Sequence, residues 1–216
     1  MHSASNKLAR KKIKKQEQVK QIILKRKNRR LILLAIFFIL GFAIATFIFY
    51  QPKIKFPETQ IITKNTEIIP IVDRNYFDIV SKEITKAQKS IDIAMFEFKF
   101  YDNDKNKVRL LLEDLIKAKQ RGVAIRVLLD QSDWSKSIRK ENEPTVNYLQ
   151  EHGVSAKFDS PKKTLHAKLI IIDNSVIIGS TNLGFHALER NNEVSVLIKN
   201  KEIADYYKTY FETLWS

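Results

Sequence analysis

Two short motifs in the last third of the chain bring together side chains that can act on a phosphate group. The motifs read H-x-K-x-x-x-x-D and G-S-x-N, and their residues are His166, Lys168, Asp173, Gly179, Ser180 and Asn182. An imidazole can attack phosphorus or move a proton near neutral pH, while an ammonium neutralises a phosphoryl oxygen. A hydroxyl and a carboxamide donate further hydrogen bonds to the charge that develops during the reaction. The two motifs therefore predict chemistry on phosphate.

A strand is the element that must position the two basic side chains. Side chains two positions apart on a strand point to the same face, so we expect His166 and Lys168 to lie side by side. Gly179 has no Cβ and lets other backbone approach closely. Asp173 belongs to the motif and is counted with its catalytic residues, although its place at a strand end, before a turn, predicts a structural role.

The other histidines and the lack of cysteine narrow the chemistry further. The chain has four His and no Cys, which excludes a disulfide scaffold, a cysteine zinc site and a thiol nucleophile. His2 lies in the N-terminal tail, and His152 precedes Gly153 at a predicted helix end. His186, just after G-S-x-N, is a weaker candidate for lining the site. We expect no metal site and no cofactor.

From Glu67 onward the hydrophobic periodicity predicts alternating strands and helices. The predicted strands cover about residues 68–72, 91–98, 123–130, 154–158, 169–173, 176–179 and 193–198. The predicted helices cover about residues 77–87, 108–121, 144–153 and 203–214, with Pro144 in a first turn and Gly122 and Gly153 at helix ends. A turn at Asn174 and Ser175 separates two apolar strands. This alternation predicts an α/β fold whose sheet is covered by helices on both faces.

Two aromatic stretches between these elements have open interpretations. Residues 131–143, which include Trp134, are predicted to form either a loop at the rim of the substrate site or a solvated loop. Phe96, Phe98 and Phe100 alternate along a predicted strand, which favours packing in the core or in a dimer.

The formal charge of +14 is concentrated at the N-terminus. Residues 1–30 contain twelve Lys or Arg and one acid, Glu17, whereas the other 186 residues have a net charge of only +3. Pooled charge therefore says little about the substrate of the folded part, because most of it belongs to a basic tail.

Residues 31–50 predict a transmembrane helix. They contain no charged residue, and as a helix they span roughly the 30 Å hydrocarbon core of a bilayer. Five basic residues stand just before this segment and only Lys53 and Lys55 follow it closely, so the positive-inside rule places residues 1–30 in the cytoplasm. A cleaved signal peptide is the alternative, because Ala43 and Ala45 form an A-x-A pattern, but the apolar run is longer than a usual signal core.

The predicted organisation has four parts. A basic cytoplasmic tail covers residues 1–30, the membrane anchor residues 31–50 and a proline-containing linker residues 51–66. The catalytic domain covers residues 67–216 and faces away from the cytoplasm. We therefore expect a single-pass protein of the cell membrane.

Over residues 65–216 the chain resembles the phospholipase D superfamily, whose signature is H-x-K-x-x-x-x-D followed by G-S-x-N. The opening segment TEIIPIVDRNYFDIVSKEITKAQKSIDIAMFEF is also similar to the small bacterial endonuclease branch. The resemblance implies a mixed sheet flanked by helices and a phosphohistidine intermediate, with a second histidine protonating the leaving oxygen. Because this chain has one copy of the motif, the resemblance implies a homodimer with a shared site at its two-fold interface.

The resemblance also implies roles for individual side chains. His166 of each subunit contributes to the one active site, where Lys168 and Asn182 hold the phosphate with support from Ser180. Small endonucleases of this family carry an acid that orients the motif histidine, and Glu193, 27 residues after His166, matches it.

Three functions remain open on the sequence. The favoured one is a metal-independent endonuclease acting on DNA or RNA, although the nearly neutral domain is less basic than many nucleic-acid binders. The second is a phospholipase D-type hydrolase of an anionic phospholipid such as cardiolipin, which an anchor near the bilayer favours. The third is a non-catalytic membrane tether for nucleic acid, which the intact motif residues argue against.

Overall fold

The computed structural model describes residue 25 and residues 29–31, 33–42, 65–100 and 105–216. These residues divide into a unit within Met1–Thr59 and a compact unit within Gln60–Ser216. In the first unit, residues 33–42 are helical and their apolar side chains are exposed, Phe38 by 77%. No helix among the described residues is both long enough and apolar enough to cross a bilayer. The predicted anchor at 31–50 lies partly outside the described residues, as do nearly all of the tail 1–30 and the linker 51–66.

Seven strands of the second unit form one mixed sheet. They are β1 (Glu67–Val72), β2 (Ser90–Met95), β3 (Ala124–Leu129), β4 (Ser155–Phe158), β5 (Lys168–Ile172), β6 (Ser175–Gly179) and β7 (Val194–Lys199). Their order across the sheet is β1-β7-β6-β5-β2-β3-β4. The pairs β2–β3 and β3–β4 are parallel and the other four pairs are antiparallel. The predicted mixed α/β sheet is therefore present.

Among the described residues of the second unit, five helices connect or follow these strands. They are α1 (Asn75–Lys86), α2 (Lys107–Gln120), α3 (Lys136–Glu151), α4 (Phe185–Glu189) and α5 (Lys201–Trp215). Asn106 and Asn200 cap α2 and α5 with side-chain oxygens that accept from the third residue beyond. After α2 the chain turns at Gly122, whose φ of +92° favours glycine.

The sheet separates two hydrophobic cores, as alternating side chains on its strands require. On one face, strand residues such as Ile93 and Ile170 pack with buried side chains from α1, α2 and α3. On the other face, Leu169 and Ile171 pack with Ala204 and Phe211 of α5. Helices therefore cover both faces of the sheet, in agreement with the sequence-based prediction.

Several predicted boundaries differ from the observed ones. The second strand ends at Met95 rather than residue 98, and the loop beyond it is held by side chains of α3. Helix α3 begins at Lys136, so Pro144 lies inside it and only residues 131–135 of the predicted loop are irregular. The first two turns of α3 are mostly polar, so the hydrophobic periodicity of the sequence does not predict them as helical. Ser175 pairs with Ile172, so the turn consists of Asp173 and Asn174.

Candidate active site

The motif residues meet at one end of the sheet because of the strand directions. Strand β5 runs antiparallel to β2 and β6 and therefore begins where those two strands end. Strand β7 begins where β6 and β1 end, and β3, parallel to β2, also ends there. Residues that are distant in sequence are thus brought to one edge.

His166 and Lys168 lie at the start of β5, against an aromatic ring. Lys168 is the first residue of the strand and His166 lies two residues before it, in a loop that continues the ladder through a Phe96 N–H bond to Ala167 O of 3.0 Å. The Phe96 ring centre lies 4.8 Å from that of His166 and 5.0 Å from Lys168 Nζ. Phe96 is therefore a wall of the site, a role that its pattern in the sequence did not indicate.

Lys168 is half-buried among acids. Burial lowers the pKa of its ammonium, while the charges of Glu193, Glu97 and Asp130 act in the opposite direction without cancelling the effect. Its Nζ also donates to the His166 carbonyl oxygen at 3.0 Å. This arrangement holds a cation beside the imidazole, in a position to bind a phosphoryl oxygen.

The G-S-x-N segment leaves β6 next to the start of β7. A Cβ built on Gly179 would lie 2.4 Å from the Val194 carbonyl oxygen and 2.5 Å from Ser195 Cα, so only glycine fits. The Ser180 N–H donates to the same carbonyl at 2.9 Å, and its Oγ accepts from the Val194 N–H at 3.1 Å. The close approach of β7 therefore fixes the segment that carries Asn182.

Glu193 is 9% exposed and binds this segment. The Ser180 hydroxyl donates to one of its oxygens and Asn191 Nδ2 donates to the other at 3.0 Å. Its backbone N–H donates to Asp73 at 2.8 Å. Among the described residues the imidazole of His166 forms no hydrogen bond, so the expected bond to Glu193 is not present within one chain.

Asp173 lies apart from the other motif residues. It follows the last residue of β5, which puts it about 16 Å from Lys168 at the usual rise per residue. Its carboxylate accepts backbone hydrogen bonds of 2.9 Å from Gln88, Lys89 and Ser90. Burial opposes its charge, but these bonds prevail and its pKa lies below the usual value. At that distance Asp173 does not touch a phosphate bound by Lys168.

Two buried polar residues position the loops of the site. Asp130, fully buried after β3, accepts from the backbone of Leu165 at 2.7 Å, next to His166. Asn142 of α3 donates to the carbonyls of Phe96 and Asp130 and accepts from the Phe98 N–H at 2.9 Å. Neither residue was predicted from the sequence. Asp130 could have been found, because an acid that ends an apolar strand is unusual. Asn142 could not, because it stands in a polar stretch.

A cavity of about 360 Å³ adjoins Asn182. Its walls include Glu97, Lys99, Asn182, Phe185, His186 and Asn191. Burial and the charge of Glu141 raise the pKa of Glu97, against the lowering effects of Lys99, His186 and Lys168. His186, a weaker candidate on the sequence, thus shares a cavity with Asn182, and Glu97 is an acid that sequence reasoning missed.

Two further observations concern the surroundings of the site. Trp134 is 70% exposed, and its indole N–H donates to Thr164 Oγ1 at 2.5 Å, two residues before His166. Within the described ranges no group of three or more His, Cys, Asp or Glu side chains is placed to hold a metal ion.

Comparison with known proteins gives a family match and a relative that is similar over most of the chain. The family described as cardiolipin synthase, PLD-like domain, matches residues 80–215. A protein of Rickettsia typhi named phospholipase D is 30% identical over 204 residues, which cover 85% of this chain and 93% of that protein.

Two other proteins are similar in a more limited way, one over part of its length and one in its fold. The 5'-3' exonuclease PLD3 of Xenopus laevis is 31% identical over 172 residues, covering 74% of this chain but 33% of its own length, so the chain spans about a third of that relative. The crystal structure of the phospholipase D family member Nuc from Salmonella typhimurium superposes with a TM-score of 0.60. The superposition covers 70% of this chain and 95% of Nuc at 23% identity, so it shows a similarity of fold.

Proposed function

Because the chain belongs to the phospholipase D superfamily and is a phosphodiester hydrolase of that superfamily, we propose that it is a membrane-anchored endonuclease cleaving DNA or RNA. The observation that carries the proposal is the convergence of His166, Lys168 and Asn182 at one end of the sheet. An exonuclease among the relatives supports nucleic acid as the substrate.

The proposed reaction is a double displacement that needs no metal ion. One imidazole nitrogen of His166 attacks phosphorus, and the N–P bond forms as the bond to the leaving oxygen breaks. A second imidazole, that of His166 of the partner subunit, gives its proton to the leaving oxygen. Water then attacks phosphorus and returns a proton to the second imidazole as the N–P bond breaks.

The other site residues serve this reaction through charge and position. Lys168 and Asn182 bind the non-bridging oxygens, with Ser180 supporting the segment that carries Asn182. Glu193 makes no hydrogen bond to His166 within one chain, so its proposed role, positioning the imidazole, belongs to the assembled dimer. Glu193→Gln therefore changes the pH profile of turnover as well as its rate, whereas a merely structural role would change the amount of folded protein alone.

An exposed apolar patch beside the site supports the homodimer. Ile68, Val72 and Val194 are exposed by 62%, 52% and 66%. Val72 pairs with Val194 across β1 and β7, and Ile68 lies on the same face of β1 as Val72. Because Glu193 immediately precedes Val194, a second subunit seated on this patch brings its own site close to the first.

Membrane anchoring through residues 31–50 is part of the same proposal. Its support is the uncharged segment and the exposed apolar side chains of the helical residues 33–42. The tail 1–30 lies in the cytoplasm and the catalytic domain on the other side. A reporter fused to the C-terminus and active only in the cytoplasm contradicts this orientation.

The second candidate function is hydrolysis of an anionic phospholipid such as cardiolipin. It is favoured by the Rickettsia typhi relative, which is named phospholipase D and of which this chain covers 93%. The same histidine chemistry applies to a lipid phosphodiester, so the substrate must be found by assay.

The test incubates the full chain in detergent micelles, with chelator, against single-stranded DNA, duplex DNA, RNA and cardiolipin vesicles. His166→Ala is compared with His152→Ala, since His152 is an exposed histidine directly after α3. Cleavage of nucleic acid that is lost only in His166→Ala supports the nuclease. Turnover of cardiolipin alone supports the phospholipase, and no turnover with retained binding of nucleic acid supports a non-catalytic tether.

A further inference from the structure

We propose that the cavity beside Asn182 is a pocket for an unpaired guanine base next to the scissile phosphate, with Glu97 as its specificity-determining residue. This inference rests on the proposed nuclease function. It adds which base the enzyme prefers, a property that the two sequence motifs do not specify.

The first support is an acceptor without a partner. Within the described part of the chain, the Glu97 carboxylate accepts no hydrogen bond and forms no salt bridge. Its neighbour in the cavity, Asn182, has a buried Oδ1 that also lacks a partner. Because a buried acceptor is costly when unsatisfied, Asn182 Oδ1 calls for a ligand with an N–H donor, and the partly exposed Glu97 carboxylate offers two more acceptors beside it.

The second support is charge. A carboxylate in the wall repels a neighbouring phosphate, so the cavity does not receive the backbone of the substrate. Lys99 also lines the cavity, but it pairs with Glu141 at 3.3 Å, so its positive charge is already opposed by a second carboxylate. The scissile phosphate therefore remains with Lys168, and a neutral part of the same nucleotide enters the cavity.

The third support is an aromatic surface. Phe185 is 36% exposed and lines the cavity, and the His186 ring meets it edge-on at 5.6 Å. Bases of single strands stack on aromatic rings of this kind, whereas a lipid glycerol has no flat face to offer. The volume of about 360 Å³ is also within the range of pockets for small ligands.

Guanine fits this set of groups better than the other bases. Its N1–H and N2–H₂ are adjacent donors on one edge and can satisfy both oxygens of one carboxylate. Adenine and cytosine offer a single amino group beside an acceptor, and thymine and uracil offer one N–H between two carbonyls. Because duplex pairing occupies this edge, the base must be unpaired.

The position of Glu97 is built into the fold. Its carbonyl oxygen accepts from the Leu183 N–H at 2.9 Å, and the following residue, Phe98, is held by Asn142. A Cβ built on Gly184 would lie 2.3 Å from Glu97 Oε1, so the carboxylate rests against this glycine. Gly184→Ala therefore displaces the carboxylate without changing its charge.

The experiment measures cleavage of single-stranded oligonucleotides by the full chain in detergent micelles. Each oligonucleotide has one cleavable linkage, flanked on one side or the other by guanine, hypoxanthine, adenine, cytosine or thymine. We expect the guanine substrate to be cleaved about 10-fold faster than the thymine substrate, the discrimination of a good bidentate pair. Hypoxanthine, which lacks the 2-amino group, falls between them.

Variants separate the pocket from the catalytic machinery. Glu97→Gln and Gly184→Ala are expected to bring the guanine-to-thymine ratio close to one while cleavage of the thymine substrate continues. Glu143→Gln is the matched control, because Glu143 is an exposed acid of α3 that does not line the cavity, and it is expected to keep the ratio.

Failure of this inference and failure of the nuclease proposal give different results. The guanine pocket is contradicted if the unsubstituted chain cleaves all substrates at equal rates. It is also contradicted if Glu97→Gln leaves the guanine-to-thymine ratio unchanged. Either result leaves the proposed nuclease function unaffected. No cleavage of any oligonucleotide overturns both.

Discussion

The ammonium of Lys168 lies 5.0 Å from the centre of the Phe96 ring. The ring and the surrounding protein remove water from the ammonium, which lowers the pKa of Lys168 from its usual 10.5 despite three nearby acids. The charged form is needed to bind phosphate. We therefore predict that kcat/KM of the free enzyme falls as the pH rises through this lowered pKa, below the usual lysine range.

Lys168→Arg provides the comparison for this alkaline decline. A guanidinium stays charged across the range, so the decline should shift to higher pH even where the maximal rate falls. The measurement is kcat/KM from neutral to strongly alkaline pH on one oligonucleotide. An identical decline in the variant assigns the titration to another group and contradicts the prediction.

Asp173→Asn should weaken the fold and leave the chemistry intact. The substitution puts an amide where three backbone N–H groups need acceptors, so we expect a loss of about 1–3 kcal/mol in the free energy of unfolding. Because the folded pKa of Asp173 is lowered, its stabilisation is present above pH 3.8 and is lost as the pH falls through the lowered value.

Thermal unfolding and turnover per folded molecule check this prediction. Asp133→Asn, an exposed acid in the loop before α3, is the matched control and should change neither. A stable Asp173→Asn protein with strongly reduced kcat would show that Asp173 acts in catalysis.

Val194→Asp should separate the proposed dimer. A charge on the patch of Ile68, Val72 and Val194 is buried without a partner if a second subunit covers it. We expect a monomer by light scattering, unchanged circular dichroism and turnover reduced to the level of His166→Ala. Leu110→Asp, on an exposed apolar residue of α2, should remain dimeric and active. A monomeric natural chain that turns over substrate rules out the shared site.

Glu97→Gln should stabilise the protein near neutral pH. The folded pKa of Glu97 is raised by burial and by Glu141, beyond what Lys99, His186 and Lys168 offset, so its charged form costs stability. That cost disappears as the pH falls through the raised pKa, and below the usual value of 4.5 both folded and unfolded forms are protonated. The unfolding midpoint should therefore be higher for Glu97→Gln at neutral pH and equal in acid.

Glu143→Gln is the control for this pH series, since Glu143 is exposed on α3. It should follow the natural chain at every pH. A Glu97→Gln protein that is less stable than the natural chain at neutral pH would show that the carboxylate is paired, which would also weaken the proposed pocket.

Much of the fold follows from local patterns in the sequence. Val108, Leu111, Leu112 and Leu115 recur at helical spacing, and all four are buried in α2. Apolar runs identify the central strands, because a sheet covered on both faces requires apolar side chains on both sides of each strand. The hydrophobic pattern predicts that α3 begins at Pro144 rather than at Lys136, because Lys136–Glu143 is mostly polar, although Ile138 and Asn142 are buried.

The sequence by itself determined the two motifs, the alternation of strands and helices, and the pairing of His166 with Lys168, since these depend on neighbours along the chain. Only the tertiary structure decided that Asp173 lies at the far end of β5, that Phe96 lies against Lys168, and that the charges of Glu97 and Asp130 act on Lys168. The physical reason is that strand order and direction determine which chain segments share an edge. Strand order and direction depend on packing between segments that are distant in the sequence, and local hydrophobic periodicity carries no information about that packing.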